Sequence, residues 1–151
     1  MSGESTQDLA KPRHYRDLLI WQRSMVLAKL VYQLTAHFNP DERFGLVSSM
    51  RRTAVAIPTS IAKGQARYET RDFLQQLSYV DGYLAELETQ LLLGVELEFC
   101  AAARVDDLLK EIDELQRMVN AIARKLRSNS PLATHHSPLS SSEEKDSYTE
   151  K

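Results

Sequence analysis

Apolar residues recur at spacings of three and four along four separate stretches of the chain, the signature of helices that bury one face. In the first stretch Ile20, Ser24, Leu27, Val31, Leu34 and Phe38 form one stripe, and Trp21, Met25, Ala28 and Tyr32 form a second beside it. Two adjacent stripes make a face wider than one partner helix covers. Such a helix either lies centrally in a bundle or also faces another subunit. Asp17 suits its N-cap or first turn, where a carboxylate meets free N–H groups. Asn39-Pro40-Asp41-Glu42 stops it, since proline cannot continue a helix and acids favour a new N-terminus.

The second stretch runs from Phe44 to Tyr68, with Val47, Met50, Ala54, Ile57 and Ile61 as a coiled-coil-like seam and no Asp or Glu anywhere in it. Pro58 falls inside the seam and removes one intrahelical hydrogen bond, at ~3 kcal/mol or more in a regular helix. The apolar phase nonetheless runs unbroken from Ile57 to Ile61, which predicts one kinked helix rather than two. Gly64 weakens its last turns, and the helix is expected to end near Arg67.

Thr70 is the expected N-cap of a third helix, with Asp72 in its first turn. Phe73, Leu77, Val80, Leu84, Leu87 and Leu91 give its seam. Gly82 and Gly94 read as places where another backbone comes close. A break is expected between Glu98 and Ala102. Val105, Leu108, Ile112, Leu115, Val119, Ile122 and Leu126 mark the fourth helix, whose acids precede its bases as the helix dipole prefers. The expectation is an all-α, antiparallel up-down-up-down four-helix bundle over residues 15–127. A polar leader (1–14) and a Ser/Pro/His/Glu-rich tail (128–151) are expected to be disordered.

Composition removes several classes of function. A chain of 151 residues fits one self-supporting domain, and its single cysteine, Cys100, has no partner for an internal disulfide. No apolar run approaches the ~20 residues that span a bilayer, and no signal core opens the chain, so a cytoplasmic protein without membrane contact is expected. The net charge of −2 gives no global attraction for nucleic acid, so any such contact must be local. A carboxylate-bridged metal site in a bundle needs Glu-x-x-His pairs, and none occurs. His37 complements the negative end of the first helix, while His14, His135 and His136 fall in the leader and tail. No phosphate loop, nucleophile elbow or zinc spacing is present. Catalytic residues, metals and cofactors are therefore not expected.

Two polar sets remain. Asp81 and Glu88, seven residues apart on the flank of the third seam, read either as paired carboxylates or as partners of Arg51 that fix register. With the second seam inward, Ser48, Arg52, Ala56, Thr59, Lys63 and Arg67 align on the opposite side, and Arg71 follows. This small, basic face is either simply solvated or a stripe that contacts phosphates, for which Arg forks and small residues are suited. The candidate nucleic-acid contacts are Arg51, Arg52, Thr59, Lys63, Arg67 and Arg71. The expected structural positions are Trp21, Tyr32, Pro58, Gly64, Asp81 and Glu88.

Asp17-Leu18 and Trp21-Gln22 resemble the opening of the bacterial four helix bundle proteins encoded within 23S rRNA intervening sequences. The likeness continues through Tyr32, Leu34-Thr35, Phe38-Asn39-Pro40, Glu42 and Phe44-Gly45-Leu46. It is densest at Arg51-Arg52, Ala54-Val55, Ile57-Pro58, Ile61-Ala62 and Gly64, then Arg67, Phe73 and Glu86-Leu87-Glu88-Thr89-Gln90. It covers roughly residues 15 to 127. The resemblance implies an up-down bundle assembled as a homopentameric ring, with no established catalytic residues. It suggests a connection to RNA or the ribosome. The related accessory proteins of diversity-generating retroelements, basic pentamers that bind reverse transcriptase and nucleic acid, offer a fold-level analogy. Where the family pattern resembles Ser-Asn-Ile-Ala-Glu-Gly, this chain has Thr59-Ser60-Ile61-Ala62-Lys63-Gly64, which makes the face more basic. The expected function is a non-enzymatic oligomeric scaffold that contacts structured RNA, a reverse transcriptase or a ribosomal component. The alternative is a protein–protein adaptor that binds no nucleic acid.

Overall fold

A computed structural model of the chain describes residues 14–67 and 69–129. Of the expected leader (1–14) and tail (128–151), residues 1–13 and 130–151 lie outside the described residues, while His14 caps the first turn and Ser128 and Asn129 are still helical. Four helices account for most of what is described: α1 (Leu19–Thr35), α2 (Leu46–Ala66), α3 (Thr70–Glu96) and α4 (Ala102–Asn129). Single 3-10 turns precede α1 (Tyr15–Asp17) and α2 (Pro40–Glu42), and no strand occurs among the described residues. The backbone of α1 approaches α2 and α4, and that of α3 approaches α2 and α4, so each helix has two neighbours around one core.

That core is the set of seams. Leu27, Val31, Met50, Ile57, Ile61, Leu84, Leu87, Leu91, Ile112 and Leu115 are all fully or almost fully buried. Burial of each such side chain contributes ~1.5–3 kcal/mol. Phe73, Ile122 and Leu126 are only partly buried, because they sit near the helix ends. No helix among the described residues is long and apolar enough to cross a membrane.

Helix ends depart from the sequence expectation by a few residues. Asp17 lies in the 3-10 turn and Leu18 caps α1 without a side-chain hydrogen bond. Thr70 is the first helical residue of α3 rather than its cap, which is Glu69. α1 stops at Thr35, short of the proline, although Phe38 is still buried. α2 runs continuously through Pro58, as the unbroken apolar phase predicts.

The two interior glycines of interest behave oppositely. A Cβ on Gly64 would stand 2.8 Å from Phe73 Cδ2 and 2.9 Å from Gln76 Cβ, so the absent side chain is what lets α3 lie this close to α2. A Cβ on Gly82 would meet nothing within 4 Å, so the expected close approach of another backbone is not found there among the described residues.

The turn from α3 to α4 is closed by Phe99 N–H donating to Gly94 O (2.9 Å) and Glu98 N–H donating to Val95 O (3.0 Å). This double closure requires a left-handed residue at its centre, usually glycine, and here that residue is Glu98 at φ 61°. Beneath it Phe99 packs on Phe38 with ring centroids 5.9 Å apart.

α1 is joined to α4 by a forked arginine. Arg23 Nε and Nη2 donate to the two carboxylate oxygens of Glu111 at 2.8 and 2.9 Å, and Nη1 donates to Glu114 at 2.9 Å. The hydrogen bond from Arg23, then its charge, holds the Glu114 carboxyl below its ordinary value near 4.5.

Three outcomes are expected. Gly64→Ala forces Phe73 or Gln76 aside, and overpacking of ~1–3 kcal/mol outweighs the gain in helix propensity, so its urea midpoint falls. Glu98→Gly removes left-handed strain at a small entropic cost and raises the midpoint by ~1 kcal/mol of stability. The Arg23–Glu114 contribution is fully present above the ordinary carboxylate value and is lost as pH falls through the depressed one. The stability gap between wild type and Arg23→Met therefore narrows from pH 7 to pH 3 in parallel urea titrations.

Candidate interaction surface

Three directions divide α2. One side meets α1, another meets α3, and the remainder faces out. Arg51 points to α1. Its Nε donates to Thr35 Oγ1 at 2.9 Å, its Nη2 donates to the Tyr32 carbonyl at 3.3 Å, and its guanidinium carbon stands 4.5 Å from the centroid of the Tyr32 ring. Thr35 Oγ1 in turn donates to the Val31 carbonyl at 2.8 Å. Arg51 thus places a cation at the C-terminal end of α1, where the helix dipole is negative. It is half-buried and committed within the chain rather than presented to a ligand.

The pairing of Arg51 with Asp81 or Glu88 is not made. Gln90 Nε2 donates to Ser49 Oγ of α2 at 3.0 Å, which fixes the side of α3 that faces α2. Asp81 and Glu88 stand nine and two residues before Gln90, roughly 180–200° away around the helix at about 100° per residue. They lie on the opposite flank, with Asp81 exposed and Glu88 half-buried, and no hydrogen bond or ion pair holds either among the described residues.

The outward face of α2 is as the periodicity predicts. Arg52, Thr59, Lys63 and Arg67 are exposed, as is Arg71 at the start of α3. Thr59 Oγ1 donates to the Val55 carbonyl at 2.7 Å, so its hydroxyl proton is used within the helix. Arg52 reaches only Ser48 Oγ, at 3.5 Å. None of Arg52, Lys63, Arg67 and Arg71 forms an ion pair among the described residues.

Beside this face the structure shows a feature that the basic stripe alone does not predict. An open groove of about 680 Å³ runs between α1 and α2. Trp21, Met25, Tyr32, Val55, Pro58 and Ala62 line it, with Lys29 and Lys63 at its rims. Trp21 is half-buried, packed at 5.3 Å between centroids on Tyr15, whereas Tyr32 is 44% exposed. A second, smaller hollow continues from Tyr32 to Phe44, which is 90% exposed. The sequence signal for the groove is the second apolar stripe of α1. Its other wall comes from Val55 and Ala62, which lie outside the α2 seam. Pro58, though buried, completes that wall between them.

Other chemistry is thin. No group of three or more His, Cys, Asp or Glu residues among the described residues is placed to hold a metal ion. Cys100 is half-buried under the α3–α4 turn, and burial pushes its thiol up despite the opposing charge of Arg104, which disfavours the reactive thiolate. His135 and His136 lie outside the described residues.

The surface is thus an apolar groove beside cations that form no ion pair among the described residues. No curated protein matches the sequence. Comparison with protein families matches residues 16–121 to the 23S rRNA-intervening sequence protein. This match covers well over half of the chain, and the chain belongs to the 23S rRNA-intervening sequence protein family.

Proposed function

We propose that the chain is a non-enzymatic, cytoplasmic scaffold that contacts structured RNA, or a protein that processes or carries RNA, through the cations of α2 and the start of α3. The observation that carries this reading is the absence of acidic partners for Arg52, Lys63, Arg67 and Arg71 among the described residues. Cations without an acidic partner keep most of their donors for phosphate oxygens. The connections between helices are short, and each helix approaches its neighbour in sequence, which favours an up-down-up-down course. Family membership favours assembly into a homopentameric ring. Assembly matters for affinity: a few cations on one copy bind weakly, and repetition around a ring raises the effective concentration of each further contact.

The adaptor reading is favoured by a different observation, the apolar floor of the α1–α2 groove. Phosphates do not need Trp21, Met25 or Val55; a protein surface does.

Fluorescence anisotropy with a labelled structured RNA separates the two. Wild type is expected to bind at low salt, and Arg52→Ala/Arg67→Ala/Arg71→Ala to bind more weakly. The triple variant's log–log salt slope should be shallower by about 0.7–0.9 for each phosphate it no longer neutralises. Absence of binding at low salt, or binding indifferent to the triple substitution, overturns the RNA reading and leaves the adaptor.

A further inference from the structure

Charge is divided between the helices. No Asp or Glu occurs from Leu18 to Pro40 or from Arg43 to Tyr68, so α1 and α2 are acid-free. Between Arg71 and Arg104 there is no Lys or Arg, while Asp81, Glu86, Glu88, Glu96 and Glu98 all fall there. Beyond Arg71 in its first turn, the outer side of α3 carries only acids among its charged residues, and it also exposes apolar side chains: Tyr79 at 47% and Leu93 at 46%, with Leu97 at 50% just past its end. At roughly 100° per residue, Tyr79, Gly82, Glu86 and Leu93 fall within one outward sector of the helix. Gly82 lies at one edge of that sector, where its missing side chain makes room for nothing among the described residues. A glycine in a helix interior costs ~1 kcal/mol relative to alanine. What it offers is a dip into which a second helix can press, and exposed Ser78, Ala85 and Thr89 keep the surroundings low.

The α1–α2 groove has the opposite character. Its floor is apolar and its rims carry Lys29 and Lys63. We propose that the outer face of α3 of one copy seats against the α1–α2 groove of a second copy. Tyr79, Leu93 and the hollow at Gly82 meet the apolar floor, and Glu86 and Glu96 lie opposite Lys29 and Lys63. Charge complementarity selects a second copy of this chain as the occupant: the matching face, with its dip and its opposite sign, is already present on the same molecule. Such arrangements steer association and fix register.

The contact is head-to-tail. α3 neighbours α2 and α4 but not α1, so its outer side and the α1–α2 groove look out from different sides of the bundle. Under a two-fold axis both contacts, α3 on groove and groove on α3, would have to form between the same two copies, which surfaces on different sides of the bundle do not allow. Repetition of unlike surfaces makes a ring where the rotation closes. In the assembly Lys63 pairs across the interface, and Arg52, Arg67 and Arg71, which do not line the groove, are left for phosphate. The inference rests on the proposed self-assembly and assigns the surfaces that perform it.

Light scattering and sedimentation of the full chain at micromolar concentration test it. Wild type is expected as a closed oligomer. Lys29→Glu/Lys63→Glu and Glu86→Lys/Glu96→Lys are each expected to weaken assembly by at least about tenfold. The quadruple exchange within one chain, which reverses both surfaces together, is expected to restore it. Gly82→Trp is expected to dissociate the oligomer while its helix content by circular dichroism is kept. Wild-type oligomers that survive both double reversals and Gly82→Trp overturn the surface assignment and leave assembly standing. A monomeric wild type overturns both.

Discussion

The distance between α2 and α3 at Gly64 is the constraint on which the rest of the bundle depends. With no Cβ to clear, Phe73 and Gln76 come within 3 Å of the space a side chain would need. That closeness orients α2: the side bearing Ser49 and Gly64 belongs to α3, the side bearing Arg51, Pro58 and Ala62 belongs to α1, and what is left faces outward. One helix thus serves two packing seams and a surface. Pro58 is tolerated because Ala54, Ile57 and Ile61 around it are fully buried, and that packing holds the helix despite the hydrogen bond it removes.

α1 is held differently from α3. It has 17 residues against 27 in α3, and it is pinned on both sides by arginine forks: Arg51 from α2 on one side and its own Arg23 to α4 on the other. α3 relies on apolar packing and close backbone approach. A short helix with a wide apolar face loses less by leaving part of that face open when polar links fix its position. The exposed Met25 and Tyr32 are the outcome, and they form one wall of the groove.

The seams are legible in the sequence because three-four spacing follows from helix geometry alone, and Ile57, Leu84 and Ile112 are buried where that spacing puts them. The outward basic face is legible for the same reason. Relations between helices are not. Whether Glu88 faces α2 depends on how far α3 is turned about its axis, and this is set by Gly64 and by Gln90 with Ser49, not by periodicity within α3. Periodicity puts Arg51 correctly on a flank but points to the wrong neighbour, since the carbonyl of Tyr32 carries no signal that a sequence displays. The left-handed Glu98 is hidden because glycine ordinarily marks that conformation. The groove is half legible: the second stripe of α1 announces a face too wide for one partner, while Val55 and Ala62 look like unremarkable positions beside a seam.

Gly64 has one more consequence. In an assembly built from unlike surfaces, the number of subunits is a matter of curvature, fixed by the angle between the donating and receiving surfaces of a single copy. In the proposed assembly α2 carries half of one surface and α3 carries the other, so their mutual inclination is the angle in question. The missing methyl at Gly64 governs how closely the two helices cross, and a small change in that crossing is multiplied at every step around the circumference. A position buried within one subunit would in this way decide how many subunits complete the circle.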